Sequence, residues 1–539
     1  MATIVGTVGN DALLGIDEKD RIWGLIGADE IDAGEGDDLV DGGAGDDRLT
    51  SRDGYDRLDG GEGDDQIALI GTGGAITGGS GFDTLAIDLS NVDTAVRFSG
   101  EHGHGIIGYD DRSNWEHIFF NRIERLVLTT ASGDDRIFGA TTNDIISTGA
   151  GDDIIGPYGT DGDDGTSMLG DDTLETGDGA DIIVDRSGAN RIFAGNDNDK
   201  VTTTLSSAVI DGGDGWDTLS LIDEERTEDL TVDFARGLAS TGTLISNIEA
   251  AHVHLGSGND TLIGGNLSSL YADLGEGDNY AAGSSGRDHL VSGSGDDALY
   301  GGAGDDVLVS DGGNDVLMGG AGNDEIHDSG TSFDDGDTII DGGAGDDLIL
   351  VHSPAGFING GDGNDTLHIT APLPWVTNFD AATGMLGTTL FFSGIERFKV
   401  AGGAADDTIR TLAGNDNLTG NGGNDHLDGG AGNDLLWGGV GNDVMTGGAG
   451  ADSFLWSSDT SSRSGVDHIT DFDADDGDVL RFIGHASTAT GIDSFADLVA
   501  AATETGDGLY IAFNGSSTFG LFLDNMSLSD LSADDIIFA

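Results

Sequence analysis

One aliphatic residue recurs every nine positions along much of this chain, and few folds can accept that spacing. Cutting from Gly6 in nines gives nine units in unbroken register as far as Ala86. Their eighth positions are Leu13, Ile22, Ile31, Val40, Leu49, Leu58, Ile67, Ile76 and Leu85. Their sixth positions are Asp11, Asp20, Asp29, Asp38, Asp47, Asp56, Asp65, Gly74 and Asp83, and the fourth is Gly except at Glu18 and Thr72. The frame returns with six units from Gly402 to Leu455, four between Ser292 and His327, and a looser array from Ser167 to Ser220 in which Asn190 and Ala208 replace Asp. Gly301-Gly302-Ala303-Gly304-Asp305-Asp306-Val307-Leu308-Val309 shows the unit most clearly.

A lone inward side chain within x-aliphatic-x specifies a very short strand whose flanking residues point outward. The six residues before it must turn the chain, and Gly supplies the positive φ that such turns require. Two units then close one coil of 18 residues, and successive coils stack their strands as two parallel sheets about 4.8 Å apart per layer. The expected fold is all-β: a parallel β-roll or β-helix solenoid of two short-strand sheets with a β-rich C-terminal cap.

One aliphatic side chain per nine residues is too little burial to offset the ordering of those nine. Charge makes the balance worse. Asp and Glu number 100 against 21 Lys and Arg, for a formal net charge of −79. Stacking coils brings carboxylates into columns, so a cation must enter the fold. Calcium suits Gly-rich turns and Asp, because it takes six to eight oxygens at about 2.3–2.6 Å in flexible geometry. Zinc would want His or Cys, and magnesium tends to keep its waters. The expected metal ligands are Asp11, Asp29, Asp38, Asp47, Asp56, Asp65 and Asp83 in the first array. Asp135, Asp144, Asp153, Asp172, Asp181, Asp199 and Asp217 follow in the second. Asp260, Asp288, Asp297, Asp306, Asp315, Asp324, Asp347 and Asp365 serve the third, and Asp407, Asp416, Asp425, Asp434, Asp443 and Asp452 the fourth. Some 35 units leave about 15–20 usable calcium sites, and a chain of this kind is expected to be unfolded without calcium and folded with it.

The same charge excludes nucleic acid and anionic membrane surfaces as partners. There is no Cys, and 4 Pro rule out collagen and polyproline linkers. A flexible linker would not hold an aliphatic phase, and 37% hydrophobic residues argue against simple disorder. No apolar run approaches the length of a membrane span. Phosphate-cradling Gly loops need a Lys or a helix N-terminus, which these turns lack. Asp161-Gly162-Asp163-Asp164-Gly165 and Asp473-Ala474-Asp475-Asp476-Gly477 superficially match EF-hand loops, yet neither has Gly at loop position six or Glu at twelve.

Three inserts interrupt the arrays in a common frame. Each follows Asp-Thr-Leu (Asp83-Thr84-Leu85, Asp217-Thr218-Leu219, Asp365-Thr366-Leu367) and closes on Ile-Glu (Ile123-Glu124, Ile248-Glu249, Ile395-Glu396). The next sixth-position Asp, at Asp135, Asp260 or Asp407, comes twelve residues after that Ile every time. Fixed ends with a variable middle suggest lengthened coils with a thicker core. Their aromatics include Trp115, Phe119, Phe120, Phe234, Trp375, Phe379, Phe391 and Phe392, and Leu230–Phe234 and Arg125–Leu128 alternate like strands. His102, His104 and His117, and the pair His252 and His254 on one strand face, invite a transition-metal reading, but HExxH is absent and solvated histidines are the expectation.

The segmentation is array 1 at 1–86, insert 1 at 87–129, array 2 at 130–220, insert 2 at 221–254, array 3 at 255–368, insert 3 at 369–401, array 4 at 402–455 and a C-terminal domain at 456–539. In the last, Phe495–Ala502 reads as a short helix, and Leu509–Phe513 and Phe519–Leu523 as strands.

The repeat is identified as that of the RTX (repeats-in-toxin) calcium-binding family exported by type I secretion. Ile469-x-Asp471-Phe472 with Gly477-Asp478, and the tail Leu531–Ala539, resemble the C-terminal part of such proteins. The resemblance implies an uncleaved C-terminal export signal, in keeping with a start at Met1-Ala2-Thr3-Ile4-Val5-Gly6 that lacks a secretory leader. Many relatives carry a catalytic domain ahead of the repeats. Here the repeats begin at Gly6, and the chain lacks HExxH, Gly-x-Ser-x-Gly and Asp-Pro-His. The expectation is a non-enzymatic, secreted, calcium-folded structural or matrix protein of the cell surface. Its expected partners are calcium, the type I secretion machinery, further copies of itself or a surface polysaccharide. The alternatives are a surface-layer lattice subunit or adhesin and, more remotely, a polysaccharide-active enzyme.

Overall fold

A computed structural model describes residues 1–70, 73–101, 104–111, 114–139, 142–156, 168–330, 337–352, 355–369, 378–387, 389–457, 465–483 and 490–538, with backbone only at 99–101, 104, 109–111 and 114–116. His102, Trp375 and the Asp161–Gly165 loop lie outside the described residues, as do the side chains of His104 and Trp115. The chain forms two compact units, Met1–Asp273 and Leu274–Ala539.

Within the first unit, the eighth-position residues fall into two parallel columns. Ile22 pairs with Val40, Val40 with Leu58 and Leu58 with Ile76 in one sheet. Leu13, Ile31, Leu49, Ile67 and Leu85 follow one another in the other sheet. Each step is 18 residues, so two nonapeptides make one coil. The second unit stacks Leu290, Leu308, Ile326, Ile349 and Leu367, and Leu418, Leu436, Phe454 and Leu480, in the same way, with steps lengthened to 23 residues at Ile326–Ile349 and 26 at Phe454–Leu480. These side chains are buried between the sheets, apart from Leu13 in the first coil. The parallel β-roll read from the nine-residue phase is the fold of both units.

Glycine is required where coils touch. Gly43 and Gly45, the second and fourth residues of their unit, have φ of 107° and 128°. A Cβ at Gly43 would lie 2.2 Å from the Leu25 carbonyl oxygen, and one at Gly45 would lie 2.1 Å from that of Gly27, one coil away. Side chains there would force neighbouring coils apart.

The inserts are not wide coils. In the first, strands Val96–Glu101, His104–Asp111 and Asn114–Asn121 form an antiparallel meander. Its last strand pairs in parallel with Gly73–Ser80 of the coil before, and its first with Arg136–Ile137 of the coil after. Insert 2 does the same with Thr231–Asp233, Leu238–Ala239 and Leu244–Ser246, and insert 3 with Asn378–Asp380, Met385–Leu386 and Leu390–Ser393. A long loop between coils would leave backbone groups without partners, whereas a meander splices added strands into the sheet and pairs them. Part of the aromatic set thickens the core, with Phe379, Phe392 and Phe398 clustered at centroid distances of 5.0–5.5 Å, whereas Phe119 and Phe391 are exposed.

At the C-terminal end the short helix is Phe495–Ala501, capped by the Ser494 hydroxyl accepting from Asp497 N at 3.2 Å. Gly508–Ala512 and Phe519–Asp524 form an antiparallel pair, and the latter extends one sheet beside Gly465–Ile469. Ile536–Phe538 adds a strand to the other sheet beside Val479–Ile483. Trp456, Phe482, Phe513 and Phe519 make an aromatic core unlike that of the coils. It covers stacked edges that would otherwise remain open.

Candidate metal centres along the Asp ladders

The sixth-position Asp stands at the end of the turn, where the chain enters the strand. All the expected ligand residues are buried except Asp11, which is half-buried in the first coil. Their first carboxylate oxygen has a defined task. Oδ1 of Asp29 accepts from the Asp11 amide at 2.7 Å, Asp47 from Asp29 at 2.8 Å, Asp65 from Asp47 at 2.8 Å and Asp83 from Asp65 at 2.9 Å. The opposite edge carries a second such ladder through Asp20, Asp38 and Asp56. In the second array, Asp135, Asp153, Asp181, Asp199 and Asp217 form a ladder, and Asp144 is capped by Asp172. Asp288, Asp306, Asp324, Asp347 and Asp365 form another, as do Asp297 with Asp315, Asp407 with Asp425 and Asp443, and Asp416 with Asp434 and Asp452. Asp260 accepts from the Leu230 amide at 2.7 Å across insert 2.

The second oxygen is different. Oδ2 of Asp29, Asp38, Asp47, Asp65 and Asp83 is buried with no hydrogen-bond donor, and the same holds for Asp199, Asp217, Asp306, Asp324, Asp347, Asp365, Asp425, Asp434 and Asp452. These oxygens face other oxygens. Oδ2 of Asp47 and the carbonyl oxygen of Gly60 lie 2.5 and 2.6 Å from the point a Gly42 Cβ would take. Asn279 stands in the sixth place of its unit and reveals what surrounds that position. Its Nδ2 donates to the carbonyl oxygens of Gly275 and Gly277 at 3.2 and 3.1 Å, while its own amide donates to Asp297 Oδ1 at 2.8 Å. With Asp in the same turn, an oxygen replaces the N–H and meets acceptors only.

Burial pushes these carboxyls up from the ordinary value of 3.8, helped by the carboxylates of adjacent coils. Asp65, Asp199, Asp306 and Asp425 are raised to about 7, and Asp47 and Asp347 to about 6. Buried anionic oxygens surrounded by carbonyls, with no nitrogen or sulfur donors, are a donor set for a hard cation. Calcium fits it. Oδ2 of the sixth-position Asp and the carbonyls of the turn would hold the ion, and its charge would relieve the columns of carboxylate.

Several turns satisfy Oδ2 from within. Thr7 and Ile16 amides donate to Asp11 and Asp20, and Ser284 and Gly403 amides to Asp288 and Asp407. The Ser51 hydroxyl donates to Asp56 at 2.5 Å, and that of Thr130 to Asp135.

Residues outside the expected set also join the ladders. Glu124, Glu249 and Glu396 accept from the amides of Asp83, Asp217 and Asp365 at 2.9, 2.8 and 2.9 Å. Asp467 and Asp478 cap Asp443 and Asp452 at separations of 24 and 26 residues. The Ile-Glu closure marks the first three in the sequence; the broken frame hides the last two. Asp473–Gly477 forms a tight turn held by Asp473 N donating to Asp478 Oδ2 at 2.8 Å. His252 and His254 do share one face, on either side of Tyr271 at ring distances of 5.8 and 5.7 Å.

Comparison with known proteins agrees with this geometry. The family model of the RTX calcium-binding nonapeptide repeat matches residues 14–49, 41–69, 129–164, 168–201, 252–266, 273–308, 309–330, 357–368, 401–436 and 419–454. No curated protein sequence matches the chain. Among solved structures it is similar to the extracellular lipase LipA from Serratia marcescens, at 22% identity and a TM-score of 0.21, over 48% of this chain and 40% of that one. The chain thus spans less than half the length of that lipase. On the match of its repeats, segment after segment, the chain belongs to the family built on the RTX calcium-binding nonapeptide repeat.

Proposed function

We propose that this protein is exported, folds on binding calcium outside the cell, and serves there as a structural component of the cell surface or matrix without enzymatic activity. The observation that carries this reading is the row of buried Oδ2 atoms that lack a donor. At the low calcium of the cytosol, their mutual repulsion and desolvation would disfavour stacking, leaving a chain that can be threaded for export by the type I machinery. At the millimolar calcium outside, binding free energy becomes folding free energy.

A lattice or adhesive role is favoured by one surface feature. Ile339, Phe357 and Phe391 lie in register on adjacent strands of the second unit, all exposed, with the two Phe rings 5.5 Å apart. An apolar column of this kind suits contact with another copy or a surface polymer. Electron microscopy of the purified chain across a calcium series tests it. Calcium-dependent sheets or particles that vanish in Phe357→Ser support assembly; a strict monomer at millimolar calcium rejects it. Turnover of uronate polymers by the same preparation would instead favour an enzyme.

A further inference from the structure

The three inserts differ in length and in sequence, yet they close on the same constellation. In insert 2, Asp217 leads into the strand before the insert and Glu249 ends it. Oδ2 of Asp217 is fully buried and has no donor. It lies 2.6 Å from the point a Gly212 Cβ would take, and the carbonyl oxygen of Asn247 lies 2.0 Å from that same point. Asn247 turns its carbonyl there by adopting φ of 52°. Two residues on, Glu249 Oε2 accepts from the Asp217 amide at 2.8 Å, which places a second carboxylate beside the first.

Insert 1 repeats this with Asp83, Arg122 (φ 55°) and Glu124; insert 3 with Asp365, Gly394 (φ 63°) and Glu396. Oδ2 of Asp83 and of Asp365 likewise lacks a donor, and the carbonyl oxygens of Arg122 and Gly394 approach to 1.9 Å of the corresponding points at Gly78 and Gly360. In regular coils the equivalent carbonyl of the next coil occupies this place, at 2.0 Å for Gly15, 2.3 Å for Gly24 and 2.6 Å for Gly42 and Gly60. Where an insert returns, the left-handed residue thus sets its carbonyl oxygen in the place that the next coil's carbonyl takes elsewhere, on the side of the unpartnered carboxylate. Covalent continuity does not require this. Glu takes the capping place that the next coil's Asp holds elsewhere and brings a charge with it.

We propose that each insert is pinned to the coil before it by its own calcium ion, held between the entry Asp and the exit Glu with the carbonyl of the left-handed residue. This rests on the calcium reading above and adds a local consequence: the inserts can open while the arrays remain folded. Insert 2 offers a built-in reporter, because Trp216 immediately precedes Asp217 and is half exposed.

The test uses the full chain with terbium in place of calcium. The Trp216-dependent part of sensitised emission is taken as wild type minus Trp216→Phe, and trypsin reports opening at Arg226 and Arg236 within the insert. Glu249→Gln keeps the cap on the Asp217 amide but removes the charge. It should abolish the Trp216-dependent emission and expose the insert to trypsin at calcium concentrations that still protect the arrays. Glu175→Gln, on the outer sheet face, should change neither. Unchanged emission and cleavage in both Glu249→Gln and Asp217→Asn would overturn the insert sites alone. A wild-type chain that neither folds with calcium nor sensitises terbium would overturn this inference and the broader reading together.

Discussion

Asp56 and Asp65 hold the same place in successive units that open on Ser51 and Gly60. Asp56 follows Ser51, whose hydroxyl donates to its Oδ2 at 2.5 Å; Asp65 follows Gly60, and its Oδ2 has no donor. Burial raises both carboxyls, Asp65 to about 7 and Asp56 to about 6, where the Ser51 hydroxyl offsets part of the rise. A nonapeptide can thus satisfy its buried carboxylate from inside the protein or leave it for a cation. Most of the arrays take the second course, which under the proposed function makes the fold conditional on calcium.

Truncating the core should have the largest effect and should not distinguish the two kinds of turn. Leu58→Ala and Ile67→Ala each remove a buried eighth-position side chain, at a cost of about 2–5 kcal/mol in calcium-saturated urea unfolding. If the two costs diverged widely, the coils would not share one evenly packed core.

Acidity should sort the turns next. A carboxyl raised on folding binds its proton more tightly in the folded state. The metal-free stack is therefore most stable below the unfolded value of 3.8 and loses that stability as pH rises through about 6 to 7. In chelator, circular dichroism should show more β-structure at pH 5 than at pH 8, and less calcium should be needed to fold the chain at pH 6 than at pH 8. A metal-free chain that gained structure toward pH 8 would contradict the assignment of the buried protons.

Neutralising single residues sharpens the contrast further. Asp65→Asn keeps an acceptor for the Asp47 amide and turns an N–H toward the carbonyls of the turn, as Asn279 does. It should bind fewer calcium ions by calorimetry yet raise stability in chelator. Asp56→Asn, already paired to Ser51, should shift both quantities less. The smallest effect is expected of Ser51→Gly, which converts one turn to the dependent kind and should raise the calcium midpoint slightly.

Much of this was legible in the sequence, for a physical reason. A coil that buries one side chain per turn writes that residue at a constant phase, so Leu58 and Leu436 announce their own columns. The sixth-position Asp is legible in the same way. Its divided labour is not: nothing in a nine-residue period says that Asp47 Oδ1 caps an amide 18 residues back while Oδ2 is left over. The inserts show where periodicity stops helping. Alternation at Leu230–Phe234 marks a strand, found at Thr231–Asp233, but not the meander that pairs it forward to Thr261–Ile263. Asp467 and Asp478 escape because lengthened coils carry them out of phase, and only stacking restores their place.

Under the proposed function the coils cannot stack at neutral pH unless cations take up the leftover carboxylate oxygens. Calcium titration of the intact chain at pH 7.5, followed together by far-ultraviolet circular dichroism and small-angle scattering, tests it most directly. The chain should be expanded with little β-signal in chelator and should collapse cooperatively to a β-rich particle as calcium is added. A compact, β-rich particle already present in chelator would contradict it.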